Sequence, residues 1–126
     1  MKSSIAVLIW TILFLLFGLY VNVEVSNFSD KYNSNVEIVE KYIEEDKWLD
    51  AKSKLENISK SWYEEKGIWY KLLNHEFFDN VGLSLSILDK SINEKNKSKS
   101  FEEIELIKLN LNNIIESQKI DLNHIL

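Results

Sequence analysis

The sequence has no cysteine, no proline and no arginine, and only three glycines and two histidines among its 126 residues. Without cysteine there can be no disulfide, thiol nucleophile or thiolate metal site, which removes cysteine-based zinc and redox chemistry. Without proline, and with glycine confined to Gly18, Gly67 and Gly82, turn-forming residues are scarce. Helices can therefore run long, and an all-β fold, which needs frequent Gly, Pro or Asn-Gly turns, is disfavoured. All 15 basic residues are lysine, against 20 acids. Lys2 precedes the first apolar run and every acid follows it, so the remainder holds 14 lysines against 20 acids, a net charge of −6. That balance disfavours a basic face for nucleic acid, and no nucleic-acid partner is expected.

What is present begins with an uncharged run, residues 5–23, IAVLIWTILFLLFGLYVNV. At 1.5 Å per residue it reaches about 28 Å, close to the thickness of a hydrocarbon core. Trp10 lies within it and Tyr20 near its far end, where an interfacial aromatic belongs. A cleaved signal peptide would have a shorter apolar stretch and a small-x-small exit. The exit here, Val21-Asn22-Val23-Glu24-Val25-Ser26, has no such pattern, so the expectation is an uncleaved signal anchor in contact with the lipid bilayer through residues 5–23. Lys2 and the free amine on one side, against Glu24 and Asp30 on the other, place the N-terminus in the cytoplasm and the rest of the chain outside.

The expected organisation is a transmembrane anchor over residues 1–25, a short polar stalk over 26–35, whose Asn27 to Asn35 also read as a frayed extension of the anchor helix, and a helical extracytoplasmic domain over 36–126. The domain opens with Val36, Val39, Tyr42 and Ile43 at helical spacing. Trp48, Ala51, Leu55, Ile58 and Trp62 then step by three and four residues through polar neighbours, one apolar stripe on an amphipathic helix. Lys66-Gly67 reads as its end, a cation in the last turn followed by a residue able to turn left-handed. A helix from Ile68 to about Lys95 follows, with Phe78, Val81, Leu85, Leu88 and Ile92 on one face. Near its start Ile68 and Leu72 point away from Trp69, Leu73 and Phe77, so this stretch should have neighbours on two sides. Asn96 to Lys99 reads as a loop, and Ser100 with Glu103 as a capping box opening a helix lined by Phe101, Ile104, Ile107, Leu111 and Ile114. Trp48-x-x-Ala51 is similar to the start of a tetratricopeptide-type helix, yet no second copy follows at that period. The predicted fold is all-α: one transmembrane helix followed by an antiparallel bundle of three to four helices.

The candidate functional residues are Trp48, Trp62, Trp69, His75, Glu76 and Asp79. His75 and Asp79, four residues apart, share a helix face and could share a proton or a metal. A carboxylate-bridged dimetal centre would need Glu-x-x-His pairs on two helices and further glutamates from two others. Besides His75 the only imidazole is His124, so no metal and no cofactor are expected. His75 reads instead as a hydrogen-bond donor holding the start of its helix. Trp62 and Trp69 could line an aromatic pocket, but a domain this small needs large aromatics first for its core, at about 25 cal/mol per Å². There is no phosphate loop, nucleophile elbow or HExxH helix, and a non-catalytic protein is expected.

The string Trp48-x2-Ala51-x3-Leu55, then Trp62, Trp69 and Asn74-His75-Glu76 with Asp79, a leucine-rich helix and an Asn-x-Ile-Leu end resembles a family of short membrane-anchored proteins of unknown function from Gram-positive, often spore-forming bacteria. The resemblance runs from the anchor to the last residues. It implies a single-pass, otherwise helical protein of the bacterial cell membrane, often encoded beside a multispanning membrane protein, and it brings no catalytic residues. Together with the residues above, it leads to the expectation of an accessory or interaction module for another membrane protein. The competing expectation is an extracytoplasmic small-ligand or metal-sensing domain built near Trp62, Trp69 and His75.

Overall fold

The computed structural model describes the backbone of residues 2–73 and 75–125, and their side chains except Ile68, Leu72 and residues 118–125. Four helices make up the described chain, α1 (Lys2–Glu44), α2 (Trp48–Leu72), α3 (His75–Asn93) and α4 (Lys97–Ile125), and the described residues contain no strand. Each helix packs against its neighbours in the cyclic order α1, α2, α3, α4 and back to α1, and across the diagonal α1 and α3 meet through the Phe28 and Phe78 rings. Connections of two or three residues force successive helices to run antiparallel, which yields a four-helix bundle.

The stripes expected for the last three helices are its core. Ala51, Leu55, Ile58 and Trp62 from α2, Phe78, Val81, Leu85, Leu88 and Ile92 from α3, and Ile104, Ile107, Leu111 and Ile114 from α4 are all buried. Each large side chain so enclosed contributes about 1.5–3 kcal/mol relative to exposure. Where α3 meets α4 the buried Ser84, Ser91 and Ser100 are small enough for close approach. The Ser91 and Ser100 hydroxyls donate to the Ile87 and Asn96 carbonyls one turn back, at 2.9 and 2.7 Å.

The largest departure from expectation is α1. It does not stop for the polar segment 26–35: the helix continues unbroken for 43 residues, about 65 Å at 1.5 Å per residue. Nothing between its ends can break it, since the only glycine there is Gly18 and no proline occurs. Nor is the segment a stalk. Ser26, Asn27, Asp30 and Asn33 turn away from the core, while Phe28, Ser29 and Tyr32 face inward and are buried. Gly18, Val21, Val25, Phe28, Tyr32, Val36, Val39 and Ile43 form one continuous buried row at steps of three and four. Toward the N-terminus, Ile5 to Phe17 are exposed on every side, so one helix is a bundle member at one end and free of the bundle at the other.

Three helix boundaries also differ from the expected ones. Gly67 does not end α2. No glycine has a positive φ, and α2 continues to Leu72, where Leu73 turns extended and its N–H still reaches the Trp69 carbonyl at 2.8 Å. The residues from Ile68 to Leu72 therefore belong to α2, and the next helix begins only at His75. The left-handed turns are made by Asp46, at φ 59°, and Lys95, at φ 55°. At the first, Lys47 N–H bonds the Tyr42 carbonyl and Asp46 N–H that of Ile43; at the second, Asn96 bonds Ser91 and Lys95 bonds Ile92. Both are Schellman motifs that satisfy the last carbonyls of a helix. Finally, α4 starts at Lys97 because the Asn96 side chain accepts from the Lys99 N–H at 3.0 Å, making Asn96 the N-cap instead of Ser100. A Lys97–Asp46 ion pair of 2.9 Å ties the two Schellman turns together at one end of the bundle.

Candidate functional site

The six candidate residues are not one cluster. Trp48 opens α2, half-buried, beside the two Schellman turns. Trp62 lies fourteen residues on, about 21 Å along the helix axis, and is 0% exposed. Trp69, half-buried, lies two turns further toward the opposite end. His75, Glu76 and Asp79 are exposed on the first turns of α3. The His75 ring packs on Tyr70 at 4.3 Å between centroids, so it braces the α2–α3 junction without a hydrogen bond to Asp79. Asn74, part of the sequence pattern, lies outside the described residues, as do the side chains of Ile68, Leu72 and His124. Among the described residues no group of three His, Asp or Glu side chains is placed to hold a metal ion.

What the fold brings together instead is an aromatic layer. Phe28 of α1, Trp62 of α2 and Phe78 of α3 lie 5.5–6.3 Å apart between centroids, and Tyr32 meets Trp62 edge-on at 5.1 Å. Trp69 joins through Phe28 at 6.5 Å. Such offset and edge-to-face pairs each add about 0.5–1.5 kcal/mol beyond burial. Gly82 of α3 completes the layer. A Cβ there would stand 3.4 Å from the Tyr63 hydroxyl and 4.0 Å from Trp62 Nε1, ordinary contact distances, so α3 packs closely on α2 at this crossing.

A polar clamp borders the layer. The buried Tyr32 hydroxyl donates to Glu65 Oε2 at 2.9 Å and accepts from Ser61 at 2.7 Å. Lys31 Nζ meets Glu65 Oε1 at 2.8 Å. Burial, reinforced by the Glu65 carboxylate and partly offset by the Ser61 hydrogen bond, pushes the Tyr32 phenol well above its ordinary value. It therefore stays protonated and serves as a donor, not a base. Glu65 is held below the usual carboxylate range by Lys31 and, secondarily, by the Tyr32 and Ser61 hydroxyls, against the opposing effect of burial. The arrangement joins α1 to α2 and contains no nucleophile activated by a neighbouring base.

The surface among the described residues also carries depressions. Between α2 and α3 an open groove of about 350 Å³ is lined by Glu56, Ser59, Tyr63, Leu85, Ser86 and Asp89. Between α1 and α4 a notch of about 110 Å³ is bordered by Ser29, Asn33, Lys108 and Asn112. Lys108 is committed to carboxylates there, to Glu40 at 3.4 Å and to Glu37 and Glu105 at 3.9 Å.

Residues 19–125 match a domain of unknown function, DUF4363. The chain belongs to the DUF4363 family. The match opens at Leu19, beside the buried Gly18 where α1 joins the bundle, so the DUF4363 unit takes in all four bundle helices and omits most of the exposed apolar part of α1. No curated protein and no solved structure matches the chain. Phe28, Tyr32, Ser61 and Glu65 were missing from the sequence-based candidates. The spacing of Val21, Val25, Phe28 and Tyr32 with Val36 and Val39 was the available signal, obscured by the asparagines and serines between them.

Proposed function

We propose that this DUF4363 protein is a non-catalytic accessory subunit, anchored by residues 5–23 and presenting its bundle outside the cytoplasm to another membrane protein. The observation that carries the reading is the division of α1. Its first part is apolar and exposed on all sides, long enough to cross a bilayer, and its second part is a core helix of the bundle. A helix apolar all round requires an apolar surround, and lipid is the one its length fits.

The outer face of α3 and α4 supports the interaction reading. Asn80 donates to Asn110 at 3.3 Å between the antiparallel α3 and α4, and Leu83 on α3 and Leu106 and Leu109 on α4 are exposed. A partner in the same bilayer would cover this face. Crosslinking in cells, followed by purification in mild detergent, should recover a membrane-protein partner, and Leu83→Glu with Leu106→Glu should lose it while the helical content is unchanged. Recovery of the chain alone, without partner or self-association, refutes the reading. The α2–α3 groove, with Glu56 and Asp89 across it, favours a second reading as a cation or small-ligand sensor. A divalent ion that bound only the folded chain would raise its melting midpoint, and an unchanged midpoint with every ion removes that reading.

A further inference from the structure

The two ends of the bundle differ in kind. At one end lie Glu44, Glu45, Asp46 and Lys47, and Glu94, Lys95, Asn96 and Lys97, charged or polar throughout. At the other lies the α2–α3 elbow. Its sequence over residues 67–73, Gly-Ile-Trp-Tyr-Lys-Leu-Leu, holds one charge, Lys71, and Phe77 and Phe78 follow closely. Trp69, Tyr70, Leu73 and Phe77 pack one side on the core and keep part of their surface open.

Register fixes where this elbow stands along α1. Lys31 and Tyr32 meet Glu65, and Phe28 meets Trp69, so α2 descends beside α1 toward its N-terminal half. Leu73 is four residues beyond Trp69, about 6 Å further along the axis, which brings it level with Val23 and Glu24. Those residues end the apolar run that begins at Ile5. The elbow thus comes level with the boundary at which α1 would leave the hydrocarbon.

We propose that the α2–α3 elbow rests in the interfacial layer of the bilayer that α1 crosses, with Trp69 and Tyr70 at headgroup depth and Leu73 at the hydrocarbon edge. This rests on the anchoring of α1 proposed above. Indole and phenol rings, apolar in body with one polar group, are the side chains that favour this layer. The layer itself is about 5–8 Å deep on each side, which matches the height of Trp69 above Leu73. The nearby charges are of mixed sign, Glu24, Lys66, Lys71, Glu76 and Asp79, so the surface recognised is a zwitterionic phospholipid and the contact is held by burial, with little dependence on salt. The bundle then meets the membrane at the elbow as well as at the exit of α1, on the end toward which α4, ten residues longer than α3, also runs, and cannot swing freely about its anchor.

The absence of cysteine makes the test direct. Single nitroxide labels are attached through Leu13→Cys in the apolar part of α1, His75→Cys at the elbow, and Leu49→Cys, 85% exposed at the far end. The full chain is placed in phosphatidylcholine vesicles, and collisions of each label with oxygen and with a water-soluble nickel chelate are compared. The proposal expects high oxygen and no chelate accessibility at 13, raised oxygen with strongly reduced chelate accessibility at 75, and full chelate accessibility at 49. It also expects the signal at 75 to survive high salt, and to move to that of 49 in a Trp69→Glu, Leu73→Glu background. If 13 is protected while 75 matches 49, the anchor stands and the elbow proposal falls. Low collision with both reagents at 75 signifies contact with protein, which also overturns it. Chelate access at 13 refutes the anchor itself, and the elbow proposal with it.

Discussion

The half of the bundle nearest the elbow and the half nearest the paired turns build their cores by different means. Near the elbow the core is aromatic, with Phe28, Tyr32, Trp62 and Phe78 in mutual contact and a tyrosine hydroxyl held by Ser61 and Glu65. Near the turns the fully buried core is aliphatic, built from Val36, Val39, Ile43, Leu55, Leu88, Ile92 and Ile104 around the small Ala51, with the aromatics Tyr42, Trp48 and Phe101 only partly buried at its edge. Aliphatic layers can repack around one another with little loss, whereas wide rings with a fixed polar partner specify one arrangement. The comparison teaches that register is set near the elbow and that the far half follows it.

Substitutions can break or sharpen that contrast. The largest effect is expected from Trp62→Ala, about 4 kcal/mol of unfolding free energy, against about 3 kcal/mol for Leu88→Ala. Urea titration of the full chain in detergent, followed by circular dichroism, gives both, and equal losses would dissolve the distinction between the halves. Tyr32→Phe keeps the ring and deletes the hydroxyl, so a loss of about 1 kcal/mol is expected, read in the same titration. At the turns, Lys95→Gly should raise stability by about 1 kcal/mol, because Lys95 holds a left-handed conformation that glycine takes without penalty. Gly67→Ala should raise it by about 0.7 kcal/mol, since a Cβ there meets nothing within 4 Å. Destabilisation would mean that Gly67 ends the helix after all.

The smallest effect is a change in pH dependence. The Glu65 carboxyl is held below its unfolded value of 4.5, chiefly by Lys31. Its contribution is therefore complete above that value and declines as pH falls through and below it. Melting midpoints of Glu65→Gln and the parent chain, compared from pH 6 to pH 3, should converge toward the acid end. A constant gap would show that the clamp does not depend on the charge.

Much of the core could be read from the sequence. Steps of three and four from Trp48 to Trp62, from Phe78 to Ile92 and from Phe101 to Ile114 stood out because charged residues lie between them. The same spacing from Val21 to Ile43 was hidden, first by an apolar run in which nearly every position is hydrophobic and then by a stretch where Phe28 and Tyr32 stand among Asn, Ser, Asp and Lys. Helix ends were harder. Glycine marks a left-handed residue only where it is used as one, and here Asp46 and Lys95 make those turns while Gly67 lies within a helix. His75 and Asp79 were correctly placed on one face of a helix, but whether that face met a cleft or water depended on packing that spacing does not encode.

The unbroken run of α1 has a mechanical consequence. With no proline and no hinge between the apolar segment and the far turns, the helix works as a strut, and about 32 Å of it lies beyond the apolar segment. Leaning the anchor by 10° would carry the Asp46 and Lys97 turns sideways by about 6 Å. A change in bilayer thickness, or a neighbour pressing on the buried part, would be magnified into a displacement at the opposite tip of the molecule.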